Sequence, residues 1–181
     1  MDATSSPDPI GDPQGYQRYL LMLLGHDDPA AVQAGTAAAF RSLLDQAGAR
    51  AGERPPPREW SAIECFAHVT DAEVVMSGRY RWIVAHDEPP LIGYDQDLWI
   101  DRLHRPVEPV EELFALFEPL RAANIALWRR TPEPLRARAG MHAERGPESY
   151  DLSYRMIAGH DRFHLAQAGR ALEAVRGGPV V

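Results

Sequence analysis

Apolar residues recur along this chain at helical spacing, and no segment sustains the alternation of a half-buried strand. Residues 16–24 read as a short apolar helix. A second helix starts near Pro29, with Asp28 placed as its N-cap, and runs to about Gln46; Ala38, Phe40, Leu43 and Leu44 form its core face. A Gly/Pro-rich loop covers 47–58, and a long helix follows from Ser61 to about Ala85. Ser61 and Glu64 have the S-x-x-E spacing of a capping box. Residues 86–108, with Pro89, Pro90, Gly93 and Pro106, read as a long connection. The next helix, from about Pro109 to Arg130, draws its apolar positions from Leu113, Phe114, Leu116, Phe117, Leu120, Ile125 and Leu127. Pro119 inside it is expected to kink or split it. Residues 131–148 read as another long loop, with Pro132, Pro134, Gly140, Gly146 and Pro147. The last helix opens at Ser149 and ends near Arg176, where Gly177-Gly178-Pro179 stops it.

Four long helices with one connection of more than 20 residues fit an all-α, four-helix bundle with a crossover. The short loop before Ser61 suggests antiparallel first and second main helices. The long segment at 86–108 lets the third run parallel to the second, giving up-down-down-up order. Residues 1–15, rich in Pro, Asp, Ser and Gly, read as a disordered lead-in. The bundle is expected over 16–176 as one domain, with a flexible tail at 177–181.

The polar residues set inside these apolar faces carry the candidate chemistry. His160 and His164 are four residues apart, so they stack on one helix face and can share a metal ion. Winding the last helix at 3.6 residues per turn puts Met156, Phe163, Ala171 and Ala174 on their face, and Asp151, Arg155, Arg162 and Glu173 opposite. In the helix from Ser61, a stripe of Ile63, Ala67, Val74, Gly78 and Trp82 reads as inward, with Glu64, His68 and Asp71 within or along it. Inward polar groups need partners. His68, His160 and His164 are thus candidate ligands of a divalent metal with open positions, zinc, nickel or iron fitting best; structural zinc sites are usually closed and cysteine-rich. The alternative is a hydrogen-bonded core histidine at 68 and an incidental pair at 160 and 164.

Composition narrows the partners. At 181 residues, one core is expected, and no apolar run is long enough to span a membrane. A formal net charge of −7 argues against nucleic acid as the main partner. All 19 basic residues are arginine, so lysine Schiff-base chemistry is excluded. Cys65 is the only cysteine, so no intrachain disulfide forms, and it reads as a small packing residue off the inward stripe. No secretory signal pattern opens the chain, and the expected compartment is the cytoplasm.

Trp60-Ser61-x-x-Glu64-x-x-x-His68-Val69-x-x-x-Glu73, followed about 90 residues later by His160-Asp161-x-x-His164-Leu165-x-Gln167, resembles the DinB-like superfamily (damage-inducible protein B). That superfamily includes bacillithiol and mycothiol S-transferases and mycothiol-dependent maleylpyruvate isomerases. The resemblance covers roughly residues 16–176. It implies an up-down-down-up bundle, a divalent metal held by His68, His160 and His164, and often a homodimer. It does not fix the reaction.

A three-histidine site with open positions suits a transferase that activates a low-molecular-weight thiol for attack on an electrophile. It equally suits a metal-dependent hydrolase, while a non-catalytic metal- or ligand-binding bundle is the third reading. Glu64, one turn before His68, is a candidate to support the metal ligands from behind, with a capping role as its alternative. Asp71 could orient an imidazole or form a salt bridge. Gln167 lies in line with the pair and could bond a histidine Nδ1. Tyr154 and Arg170 flank the face, His104 and His142 lie in loops that could overhang it, and Asp97-Leu98-Trp99 and Trp82 offer apolar walls. A zincin would need Glu where Asp161 stands. A di-iron protein needs Glu-x-x-His motifs, and Glu64 and His68 are one residue too far apart.

Overall fold

The computed structural model describes residues 7–9, 11–56 and 59–177. Of the lead-in expected to be disordered over 1–15, residues 1–6 and 10 lie outside the described residues, as do 178–181 of the tail expected over 177–181. Among the described residues seven α-helices form in chain order: α1 (Pro13–Leu24), α2 (Pro29–Ala47), α3 (Ala62–Ala85), α4 (Gln96–Leu103), α5 (Val110–Arg130), α6 (Glu133–Arg136) and α7 (Tyr150–Arg176). α1 starts three residues before the expected Tyr16, because Asp12 accepts a bond from the Gly15 N–H and Pro13 stands at N1. Asp28 caps α2 as expected, and Ser61 and Glu64 close both bonds of the capping box on α3. Pro119 leaves α5 unbroken; it sits on the exposed side, where the carbonyl it frees meets water.

Cross-helix contacts fix the bundle's directions. From α2 to α7, Gln33 reaches Tyr154, Thr36 reaches Asp161 and Arg176 reaches Gln46, so these helices run parallel. Arg41 of α2 meets Glu111 near the start of α5, while Gln33 meets Arg121 further along, so that pair is antiparallel. Phe66 of α3 packs on Phe114 of α5, and Ser77 bonds Asn124, which makes them parallel. The order is up-down-down-up, and the 86–109 segment carries the chain back along the bundle. That segment is more structured than its composition suggested: it holds strand β1 (Pro90–Leu91) and α4, which Asp95 caps. β1 pairs in parallel with β2 (Ala139–His142), itself antiparallel to β3 (Gly146–Ser149), a three-stranded sheet absent from the sequence reading. Gly146, at φ 75°, closes the turn before β3.

Two apolar clusters fill the bundle. One gathers Phe40, Phe66, Phe114 and Phe117; the other gathers Tyr80, Trp128, Tyr150 and Tyr154. Between them runs a buried polar layer. Arg121 of α5 binds Asp161 of α7 (2.5 Å) and Glu73 of α3 (2.9 Å), Thr36 of α2 donates to Asp161 (2.7 Å), and Asn124 donates to Glu73 (2.7 Å). All four long helices meet in this layer.

α3 departs from the expected stripe. Val74 and Trp82 are exposed, at 41% and 45%, while Cys65, taken as lying off the inward face, is fully buried. The first three turns of α3 are covered nearly all round by α5, α7 and the crossover, so no single inward stripe exists there. Ala174 of α7 is likewise exposed, and Phe163 half-buried.

α1 lies against α7 through Gly159, where a Cβ would overlap the Leu20 carbonyl. Gly159→Ala is expected to destabilise the protein by about 3 kcal/mol, because the obstacle is backbone and cannot rotate away. Urea unfolding measures it; an unchanged midpoint would refute the close approach.

Candidate metal centre

His68 sits in the second turn of α3, one turn beyond the capping box, and His160 and His164 sit on the facing side of α7. The three are buried, and one ring nitrogen from each lies within 4.8 Å of the other two. Among the described residues no other group of three His, Cys, Asp or Glu side chains is placed to hold a metal ion. The Nε2 atoms of His68 and His160 are 3.0 Å apart. His164 Nδ1 bonds Gln167 Oε1 at 2.8 Å. The amide oxygen can only accept, so Nδ1 carries the hydrogen and Nε2 keeps a lone pair. That Nε2 has no hydrogen-bond partner, nor has Nδ1 of His68 or His160. Buried imidazole nitrogens without partners are costly.

Burial, with the neighbouring imidazoles His164 and His104 adding to it, holds the His68 pKa well below the ordinary histidine value. Burial likewise depresses His160, with His164 and His68 adding to it. Burial drives His164 down to about 4 against the opposing bond from Gln167. All three are neutral at pH 7, the form that binds a metal. The donor set therefore fits a divalent cation: three neutral nitrogens, an orphaned Nε2, and a fixed tautomer at His164.

A cleft of about 290 Å³ opens on His164, lined by Tyr16, Trp60, Gln96, Asp97, Phe163 and Gln167 among others. Trp60 supplies its aromatic wall, with ring centroids 5.0 Å from His68 and 6.0 Å from His164. Tyr94 approaches from the crossover, its ring 6.3 Å from His68 and 4.5 Å from Trp99. Sequence reasoning missed both walls. Trp60 carried a signal, standing beside the N-cap eight residues before His68; Tyr94, in a loop, carried none.

The remaining candidates fall into place around this centre. Glu64 is held by the Ser61 N–H (2.8 Å), Arg54 (2.7 Å) and Arg105 (3.4 Å), so its carboxylate is engaged in the cap and ion pairs. Asp71 pairs with His104 Nε2 at 2.9 Å, and His104 Nδ1 with Glu108 at 2.5 Å, a buried carboxylate–imidazole–carboxylate chain. Tyr154 belongs to the second apolar cluster, stacked 4.1 Å from Trp128. Trp82 lies on the surface over Gly78, and His142 lies in the small sheet. Arg170 is exposed.

Two outcomes test this geometry. Gln167→Leu is expected to weaken metal binding 10- to 100-fold by releasing the His164 tautomer; equal affinity by competition with a chromogenic chelator would refute it. Acidification should destabilise the metal-free protein between pH 6.5 and about 4. In that window the unfolded imidazoles take up protons that the buried ones refuse, so stability is present above the window and lost as pH falls. His104 opposes, since bonds to Asp71 and Glu108 raise its pKa despite burial. Urea midpoints that do not fall from pH 7 to pH 5 would contradict the neutral triad.

The architecture and the converging imidazoles together define a four-helix bundle with a three-histidine centre between its second and fourth long helices. The sequence profile of the DinB superfamily matches residues 31–168, and the chain belongs to that superfamily. Among curated proteins, none matches it by sequence. Among solved structures it is similar to YfiT from Bacillus subtilis, described as a probable metal-dependent hydrolase with an unusual four-helix bundle topology. The two share 16% identity at a TM-score of 0.75, over 83% of this chain and 87% of that one. At that identity the likeness is one of fold. Among the described residues, no helix is long and apolar enough to cross a membrane.

Proposed function

We propose that His68, His160 and His164 hold one divalent metal ion through their Nε2 atoms and that the protein is a metal-dependent transferase acting on a low-molecular-weight thiol. The observation that carries this reading is the buried, neutral, partner-free His164 Nε2 facing its two companions. A divalent ion bound there supplies Lewis acidity, which makes a coordinated thiol nucleophilic near neutral pH. Gln167 fixes the His164 tautomer, and Trp60 excludes water from one side of the triad. The cleft of about 290 Å³ beside Gln167 and Asp97 is where such a thiol would approach His164.

Hydrolysis is the second reading, favoured by the description of the Bacillus protein. The donors are the same in both cases, so the discriminating experiment is turnover. Metal-loaded protein is assayed against an electrophile panel with bacillithiol, mycothiol or glutathione, and against esters and amides without thiol. Thiol-dependent consumption of the electrophile supports the transferase, and thiol-independent cleavage supports the hydrolase. Inactivity of fully loaded protein in both assays supports a non-catalytic metal-binding bundle. The same reading carries a cytoplasmic homodimer, with light scattering as its check.

A further inference from the structure

Arg79 is a buried cation, 5% exposed, with no carboxylate in ion-pair range among the described residues. Its Nη2 donates to the Ile92 carbonyl, its Nη1 reaches only the Met76 sulfur at 3.7 Å, and its Nε has no partner. Facing it is His142, 3% exposed, with Nε2 at 3.5 Å from Arg79 Nη2. The Glu144 backbone N–H donates to His142 Nδ1 at 3.2 Å. Burial, with Arg145 and Arg79 adding to it, pushes the His142 pKa down to about 4, so the ring is neutral and carries one hydrogen.

That hydrogen cannot satisfy both sides. On Nδ1 it would confront the Glu144 N–H; on Nε2 it confronts the Arg79 guanidinium. The Nδ1 contact is the shorter, so the hydrogen belongs on Nε2, and two donors face each other 3.5 Å apart. Such a pair is satisfied by one acceptor oxygen about 2.9 Å from each. Nearby carboxylates limit its charge. Glu148 is taken by Arg145 and Ser153, both at 2.7 Å, and the exposed Glu144 lies beside Gly93. One buried guanidinium among these groups suits a single negative charge better than two.

We infer that Arg79 and His142 form a binding site for the carboxylate of a small organic acid, with Gly93 and the Glu144 side chain at its edge. The site adjoins the three-histidine centre without depending on it. Arg79 is eleven residues beyond His68, three turns and about 16 Å along the same face of α3. Tyr94 stands between them.

The test is an acetate titration of the chelator-treated protein, followed through arginine Nε–H and imidazole signals in 1H–15N spectra. Saturating shifts are expected at Arg79 and His142, with apparent affinity at least tenfold weaker in Arg79→Gln and in His142→Phe. The second variant keeps the inference testable where the first fails to fold. Absence of saturation in the wild-type protein, shifts confined to other arginines, or binding that emerges only in Glu144→Gln would each overturn it. Those outcomes would mean, in turn, that water alone fills the gap, that the acid binds elsewhere, or that Glu144 occupies the site itself.

Discussion

His160→Ala is expected to abolish stoichiometric binding of a divalent metal while the bundle stays folded. His160 Nε2 stands 3.0 Å from His68 Nε2, so its loss leaves two donors on different helices and no shared vertex between them. The fold has other supports: α7 is anchored by Asp161 in the polar layer, by Tyr150 and Tyr154 in one apolar cluster, and by Ala168 and Leu172 in the other. Elemental analysis beside circular dichroism checks both halves. One metal per chain in the folded variant would disprove the triad, whereas an unfolded variant would move the test to His164→Ala, judged in the same way.

Arg121→Met should lower stability by about 3–5 kcal/mol, the magnitude of breaking a buried ion pair from one side. Among the described residues, Arg121 is the only cation shared by Glu73 and Asp161, and the two carboxylates are 0% and 3% exposed. Burial, only partly countered by Arg121, already raises the Glu73 pKa. Without the guanidinium, the Glu73 carboxylate would be pushed further up. A folded-state pKa raised above the unfolded value gives stability that is present at low pH and lost as pH rises, so the variant should gain ground on the wild type under mild acid. Urea unfolding at pH 7 and pH 5 measures this. A loss below about 1 kcal/mol at pH 7 would show that water, not Arg121, balances the layer. The layer also bears on the site, because Asp161 directly follows His160: one turn of α7 is pinned to α5 and presents an imidazole to α3.

Much of this was legible from spacing. The His160/His164 pair, the Ser61/Glu64 box and the Asp28 cap are local patterns that helix geometry alone decides. The up-down-down-up order followed from the length of one connection. What escaped notice depends on contacts between distant segments. Strands of two to four residues, rich in Gly and Pro, have the composition of a loop and form only because β1 is brought beside β2. The burial of Asp161 was not legible because its partners, Thr36 and Arg121, come from other helices. The stripe drawn through Val74 and Trp82 failed because most of α3 is enclosed, and periodicity is informative only where one side of a helix meets water.

Because α3 and α5 point the same way, the chain must travel the full length of the bundle between them, and the returning segment becomes furniture of the cleft. Tyr94 abuts His68, Gln96 and Asp97 line the opening, and His104 grips Asp71. The bundle and its imidazoles are thus one inheritance, and the surroundings of the reacting molecule are another, written on 86–109. Exchange of that stretch alone is a route by which descendants of one scaffold diverge in chemistry while keeping the same three histidines.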